Sequence, residues 1–262
     1  TTCNQLATIC GPALSGALVA IGGAEAAYLP ASLALFAAGA LAFAIIVPPV
    51  IRAGTGGGLA RVFEGLTFLA SRPVLLGAIS LDMVAVLLGS VVALYPIFAR
   101  DVLEVGAWGL GLLRAAPAVG AMTMGLMLAV RPLGARSGRR MFAAVIVFGL
   151  AIGTFALSTS LILSLAVLVV AGAADVVSVV MRQSLVQLGT PDEMRGRVAA
   201  VNALFIGASN QLGDFRAGAA AAAFGPVTAA ALGGLCTVAV ALIWMRLFPG
   251  LRAVDRLEDV AG

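Results

Sequence analysis

The sequence predicts an all-α membrane protein of about eight transmembrane helices. Apolar runs longer than about 18 residues recur along the 262-residue chain, and that length is what a bilayer-crossing helix needs. Hydrophobic residues make up 61% of it and charged residues 11%, against roughly half and a quarter in a soluble chain. The sixteen Lys and Arg positions are all Arg, and most sit in loops between apolar runs. The positive-inside rule therefore accounts for the net charge of +4, and no nucleic-acid partner is needed.

The spans follow in order. The first runs from about Leu6 to Gly22 and holds Gly11, Pro12, Ser15 and Gly16, small residues and a helix-bending proline. The second is Tyr28 to Val47, stopped by Pro48 and Pro49. Residues 50–73 then read as a linker. Gly54 to Gly58 form a hinge, and Leu59, Val62, Phe63, Leu66 and Leu69 fall on one face of a surface helix. The third span is Val74 to Phe98, the fourth Trp108 to Val130, the fifth Met141 to Leu157 and the sixth Leu161 to Leu188. The seventh is Val198 to Phe224 and the eighth Val227 to Leu247, closed by Phe248, Pro249 and Gly250 before a polar tail. With the linker placed in the cytoplasm, nearly all loop arginines fall on that side and only Arg100 lies opposite.

The chain is organised around Asp175 to Gly218, where two apolar helices meet at a charged turn. Thr190 as N-cap, Pro191 at the first helical position and Glu193 as the return arm of a capping box predict a helix starting near Pro191. Ionisable residues inside spans are costly and mark function by default. At 1.5 Å per residue, Asp82 lies about 12 Å and Asp175 about 10 Å from the cytoplasmic edge. Asp175, Ser178 and Arg182 share one helix face, with Arg182 near the boundary where it can snorkel. Arg114 lies about 9 Å into its span and Asp214 about 24 Å along its own, so both approach the outer edge and are expected to pair. Asp82 and Asp175 are candidate proton carriers. Arg114, Arg182, Asn202, Asn210, Asp214 and Arg216 are substrate or gating candidates. The same charges also fit structural ion pairs, and Asn202, Ser209, Asn210 and Gln211 fit either a polar cavity or interhelical hydrogen bonds.

The segments PDEMRGRVAAVNALF and SNQLGDFRAG resemble the tenth-to-eleventh span region of major facilitator superfamily transporters. The group suggested is the enterobactin-exporter-like efflux permeases. Its members tend to read NELGEF and then a small polar residue, where this chain reads Asn210 to Phe215 and then Arg216. Gly11, Pro12 and Gly16 resemble the antiporter motif of such exporters, with Ser15 in place of a Gly. Gly134, Arg136, Gly138, Arg139 and Arg140 resemble the superfamily's second GxxxDRxGRR loop, with Ala135 where the signature Asp stands. Gly11 to Gly16 and Gly213 to Gly218 share the pattern G-x-x-x-small-G about 200 residues apart, one six-span half of a parallel repeat.

The resemblance implies a partial major facilitator fold. Residues 1–49 would be the last two spans of the N-terminal half, 50–73 a cytoplasmic linker, 74–248 the six-helix C-terminal half and 249–262 a cytoplasmic tail. A chain beginning Thr-Thr-Cys reads as one whose first spans are missing. The implied activity is secondary active export of siderophore-like or drug-like small molecules through the cell (inner) membrane, with proton antiport. Its partners are the lipid bilayer, the substrate, protons and the missing N-terminal spans. The alternatives are a proton-coupled uptake symporter and a non-transporting fragment. An enzyme is disfavoured, because there is no His to serve as base. No metal or cofactor is expected. Cys3, Cys10 and Cys236 show no CxxC spacing and read as small core residues.

Overall fold

A computed structural model describes residues 18, 26, 28–43, 58–130 and 136–255. Helix α1 (Tyr28–Phe43) is exposed along its length. Helix α2 spans Gly58–Ala70. Its buried face runs Val62, Gly65, Phe68 and Leu69, while Phe63 and Leu66 are exposed. The amphipathic face is thus rotated from the expected one. The cause is α8, which α2 packs against, with Glu64 Oε2 2.9 Å from Arg197 Nη1.

The third span departs most from expectation. Helix α3 (Pro73–Gly89) opens on a proline, whose missing N–H costs nothing at a helix start. It ends where Ser90 turns extended. A 3₁₀ turn (Val92–Leu94), the single turn α4 (Tyr95–Ile97) and a π-helical turn (Phe98–Val102) then carry the chain across. The expected unbroken helix Val74 to Phe98 is interrupted at Ser90 and prolonged to Val102. Gly89-Ser90 is a weak helical pair, and Pro96 cannot donate to a carbonyl one turn back.

The remaining helices are α5 (Gly106–Val130), α6 (Ser137–Leu157), α7 (Leu161–Leu188), α8 (Asp192–Phe224), α9 (Pro226–Leu247) and α10 (Pro249–Ala253). Helix α6 packs between α7 and α9, α5 lies along α7, and α3 packs on α8 and α9. At the α5–α7 crossing a Cβ on Gly172 would overlap the Pro117 carbonyl, and one on Gly120 would overlap that of Val169. Only glycine lets the two backbones touch there.

Among the described residues five segments are long and apolar enough to cross a bilayer: Pro73–Val102, Gly106–Val130, Ser137–Leu157, Leu161–Leu188 and Pro226–Leu247. Helix α8, the expected seventh span, is the longest at 33 residues. It falls short in composition, because polar groups from Asn202 to Arg216 stud its middle. Its start also differs from the expected capping box. Pro191 takes the cap position with extended backbone and the cap makes no side-chain hydrogen bond. Thr190 lies one residue outside, buried, its hydroxyl without a partner among the described residues.

Two apolar cores stack across the bundle. One gathers Leu75, Leu81, Met141, Phe142, Met181 and Val201, and Leu251 of α10 completes it. The other gathers Leu94, Phe98, Leu113, Phe155 and Leu168. The described end of the basic loop, residues 136–140, lies beside Leu251 of the first core. Gly134 is outside the described residues. Arg136 takes a left-handed conformation (φ 67°) and its N–H donates to Asp255 Oδ1 at 2.8 Å. Gly138 is buried, and Arg139 and Arg140 are exposed. The antiporter-like Gly11, Pro12 and Gly16 lie outside the described residues, as do Cys3 and Cys10. Cys236, expected in the core, is exposed on α9.

Candidate functional site

Between the two cores the helices line an open cavity of about 730 Å³, within the range of small-molecule sites. Its apolar wall comes from Val91, Val92, Ala118, Phe148, Ile152 and Ile206. Its polar wall comes from Asp82, Arg114, Asp175, Arg182 and Asn210. Four of the ionisable residues singled out in the sequence therefore converge on one space. The helical spacings explain this. Asp175 and Arg182 are seven apart, two turns on one stripe of α7, and Asp82 stands on the facing stripe of α3.

Arg182 is the anchor. It is 2% exposed, and it does not snorkel as expected. Its Nε lies 3.2 Å from Asp82 Oδ2, and its Nη1 donates to Asn202 Oδ1 at 2.5 Å. Helices α3 and α8 thus bring it a carboxylate and an amide inside the bundle, where a snorkelling side chain would have needed water. The Nε contact is close enough for charge attraction but poorly aligned for a hydrogen bond. Ser178 is buried on the same stripe, its hydroxyl also without an aligned partner. Asp175, one turn away, is half-buried and feels both the Asp82 and the Arg182 charge. It has no ion-pair partner within 4 Å among the described residues.

Arg114 and Asp214 are not paired. Asp214 Oδ1 accepts a hydrogen bond from Ser90 Oγ at 2.6 Å instead. The break in α3 supplies that hydroxyl, so Asp214 is held before it reaches Arg114. Both charges still act on the buried hydroxyl of Tyr95. Arg216 turns to the same break and donates to the carbonyls of Leu87 (3.0 Å) and Ser90 (3.1 Å). Neither Asp214 nor Arg216 lines the cavity; both stand behind its wall. Asn210 does line it, Ser209 bonds the Ile206 carbonyl of its own helix, and Gln211 is exposed.

Sequence reasoning missed Ser90 and Tyr95. A hydroxyl after glycine and a buried tyrosine before Pro96 were the available signals, hidden inside an apolar run.

The major facilitator superfamily model matches residues 1–214. The chain belongs to that superfamily. It is therefore a multi-pass membrane protein with a partial major facilitator fold, in a family of transporters rather than enzymes. It is also similar to the enterobactin exporter EntS of Citrobacter koseri, at 31% identity over 95% of this chain. The aligned region covers 59% of that relative's length. No solved structure matches the chain.

Proposed function

We propose that this protein is a secondary active transporter that exports small molecules across the inner membrane by alternating access, in exchange for protons. The observation that carries the reading is the cavity, lined by Asp82 of α3, Arg114 of α5, and Asp175 and Arg182 of α7. An apolar pocket with a few convergent charges suits an amphiphilic ligand. The charges divide by role. Arg182 and Asp82 form a neutralised pair that fixes α3 to α7. Asp175 has no such pair and opens on the cavity, so it is the proton carrier. Arg114 is likewise without an ion-pair partner among the described residues, and it is the group that meets the substrate. Siderophore-like or drug-like molecules fit the mixed wall, in keeping with the exporter named among the similar proteins.

Efflux from vesicles of defined internal pH tests the reading. Export is expected to stop when the pH gradient is dissipated, and Asp175→Asn is expected to abolish the gradient dependence. Undiminished export without a gradient would remove proton exchange.

A further inference from the structure

The last carbonyls of any helix lack intrahelical donors and must find others. At the break in α3 one of them, that of Val86, is satisfied locally by the Ser90 N–H at 2.9 Å. The carbonyls of Leu87 and Ser90 are satisfied by the Arg216 guanidinium of α8. Ser90 is held a second time, through its hydroxyl, by Asp214. Two glycines allow this approach. A Cβ on Gly213 would fall 3.1 Å from the Val86 carbonyl oxygen, and one on Gly233 of α9 would fall 2.8 Å from that of Leu88.

The place of the break gives these bonds a role. Ala85 belongs to one apolar core and Val91 to the other, so the third span changes core at Ser90. The residues around the break, Gly89, Ser90, Val91, Val92 and Tyr95, form one wall of the cavity. We propose that Arg216 and Asp214 are positioning residues: a clamp on the α3 break that fixes the outer segment, Val92 to Val102, against the inner one and so sets that cavity wall. The guanidinium holds neutral carbonyls and has no carboxylate ion pair among the described residues. It can exchange them for other acceptors without stranding a buried counter-charge, as a joint that opens and closes must. The clamp depends on neither the direction of transport nor the identity of the substrate.

Thiol labelling reads the clamp without any transport assay. With Cys3, Cys10 and Cys236 replaced by Ser, Val92→Cys on the outer segment and Val176→Cys on α7 each report on the cavity through their rate with a membrane-impermeant maleimide. Adding Arg216→Ala is expected to raise the Val92→Cys rate roughly tenfold, the equivalent of about 1.4 kcal/mol, and to leave Val176→Cys unchanged. Asp214→Ala and Ser90→Ala are expected to move the same reporter in the same direction, by less. Asp214→Asn, which keeps the acceptor, is expected to match the parent. A Val92→Cys rate within about twofold of the parent in a folded Arg216→Ala protein overturns the clamp, since losing two hydrogen bonds to a charged donor exceeds that range. Equal increases at both reporters overturn it too, because they would mean general loosening. If Arg216→Ala does not fold, Arg216→Lys serves. It reaches one carbonyl but not both, and an unchanged rate there is equally fatal.

Discussion

Arg182 and Arg216 are the same side chain used in two ways. Arg182 is fully buried between α3, α7 and α8, held by the carboxylate of Asp82 and the amide of Asn202. Arg216 is half-buried and rests on two backbone carbonyls at the end of α3. The first site is charge-compensated, so removing either partner strands an ion. The second is dipole-compensated, so removing the arginine leaves carbonyls that water entering from the cavity can satisfy. The difference separates a fixed rivet from a joint.

The largest expected effect comes from breaking the rivet alone. Arg182→Met leaves Asp82 buried without its counter-charge and is expected to cost about 3–5 kcal/mol, seen as lost folded yield and a lower melting temperature in detergent. Replacing both partners, Arg182→Met with Asp82→Leu, is expected to recover most of that stability while transport stays impaired. A double variant no more stable than the single would show that Asp82 contributes nothing to holding Arg182. Next comes Asn202→Ala, which removes the acceptor from a buried guanidinium N–H and is expected to cost about 1–3 kcal/mol by the same melt. Smaller again is Ser90→Ala at the joint. It removes one half-buried hydroxyl bond and is expected to cost about 1 kcal/mol. A loss as large as that of Arg182→Met would erase the contrast between the sites. Smallest in stability is Arg114→Gln, which has no ion pair to break among the described residues. Its melting temperature is expected to match the parent, and its effect should fall on substrate concentration dependence in vesicle efflux.

The legible part of this molecule was the set of helices α5, α6, α7 and α9. The bounds of α7 are those the sequence predicts, and α6 and α9 begin or end within a few residues of expectation. Bilayer-length apolar runs punctuated by Pro, Gly and Arg leave little freedom. The candidate charges were legible too, because an ionisable residue in such a run stands out. Their pairing was not. Depth along a helix suggested Arg114 with Asp214, yet the partner was Ser90, 124 positions away. The capping box at Thr190 failed similarly: the local motif was present, but Pro191 took the cap position and the buried Thr190 stands one residue outside it.

By itself, the sequence determined that this chain crosses a membrane as helices, and which of its long apolar runs carry charge. Those properties follow from transfer free energies summed along a chain, and neighbours in space do not enter. Only the tertiary structure decided where α3 breaks, which arginine is caged and which is clamped to backbone, and that four charges share one cavity. Each of these depends on which helix faces which, and on whether a glycine lets two backbones close to contact distance. A one-dimensional pattern of polarity does not encode that.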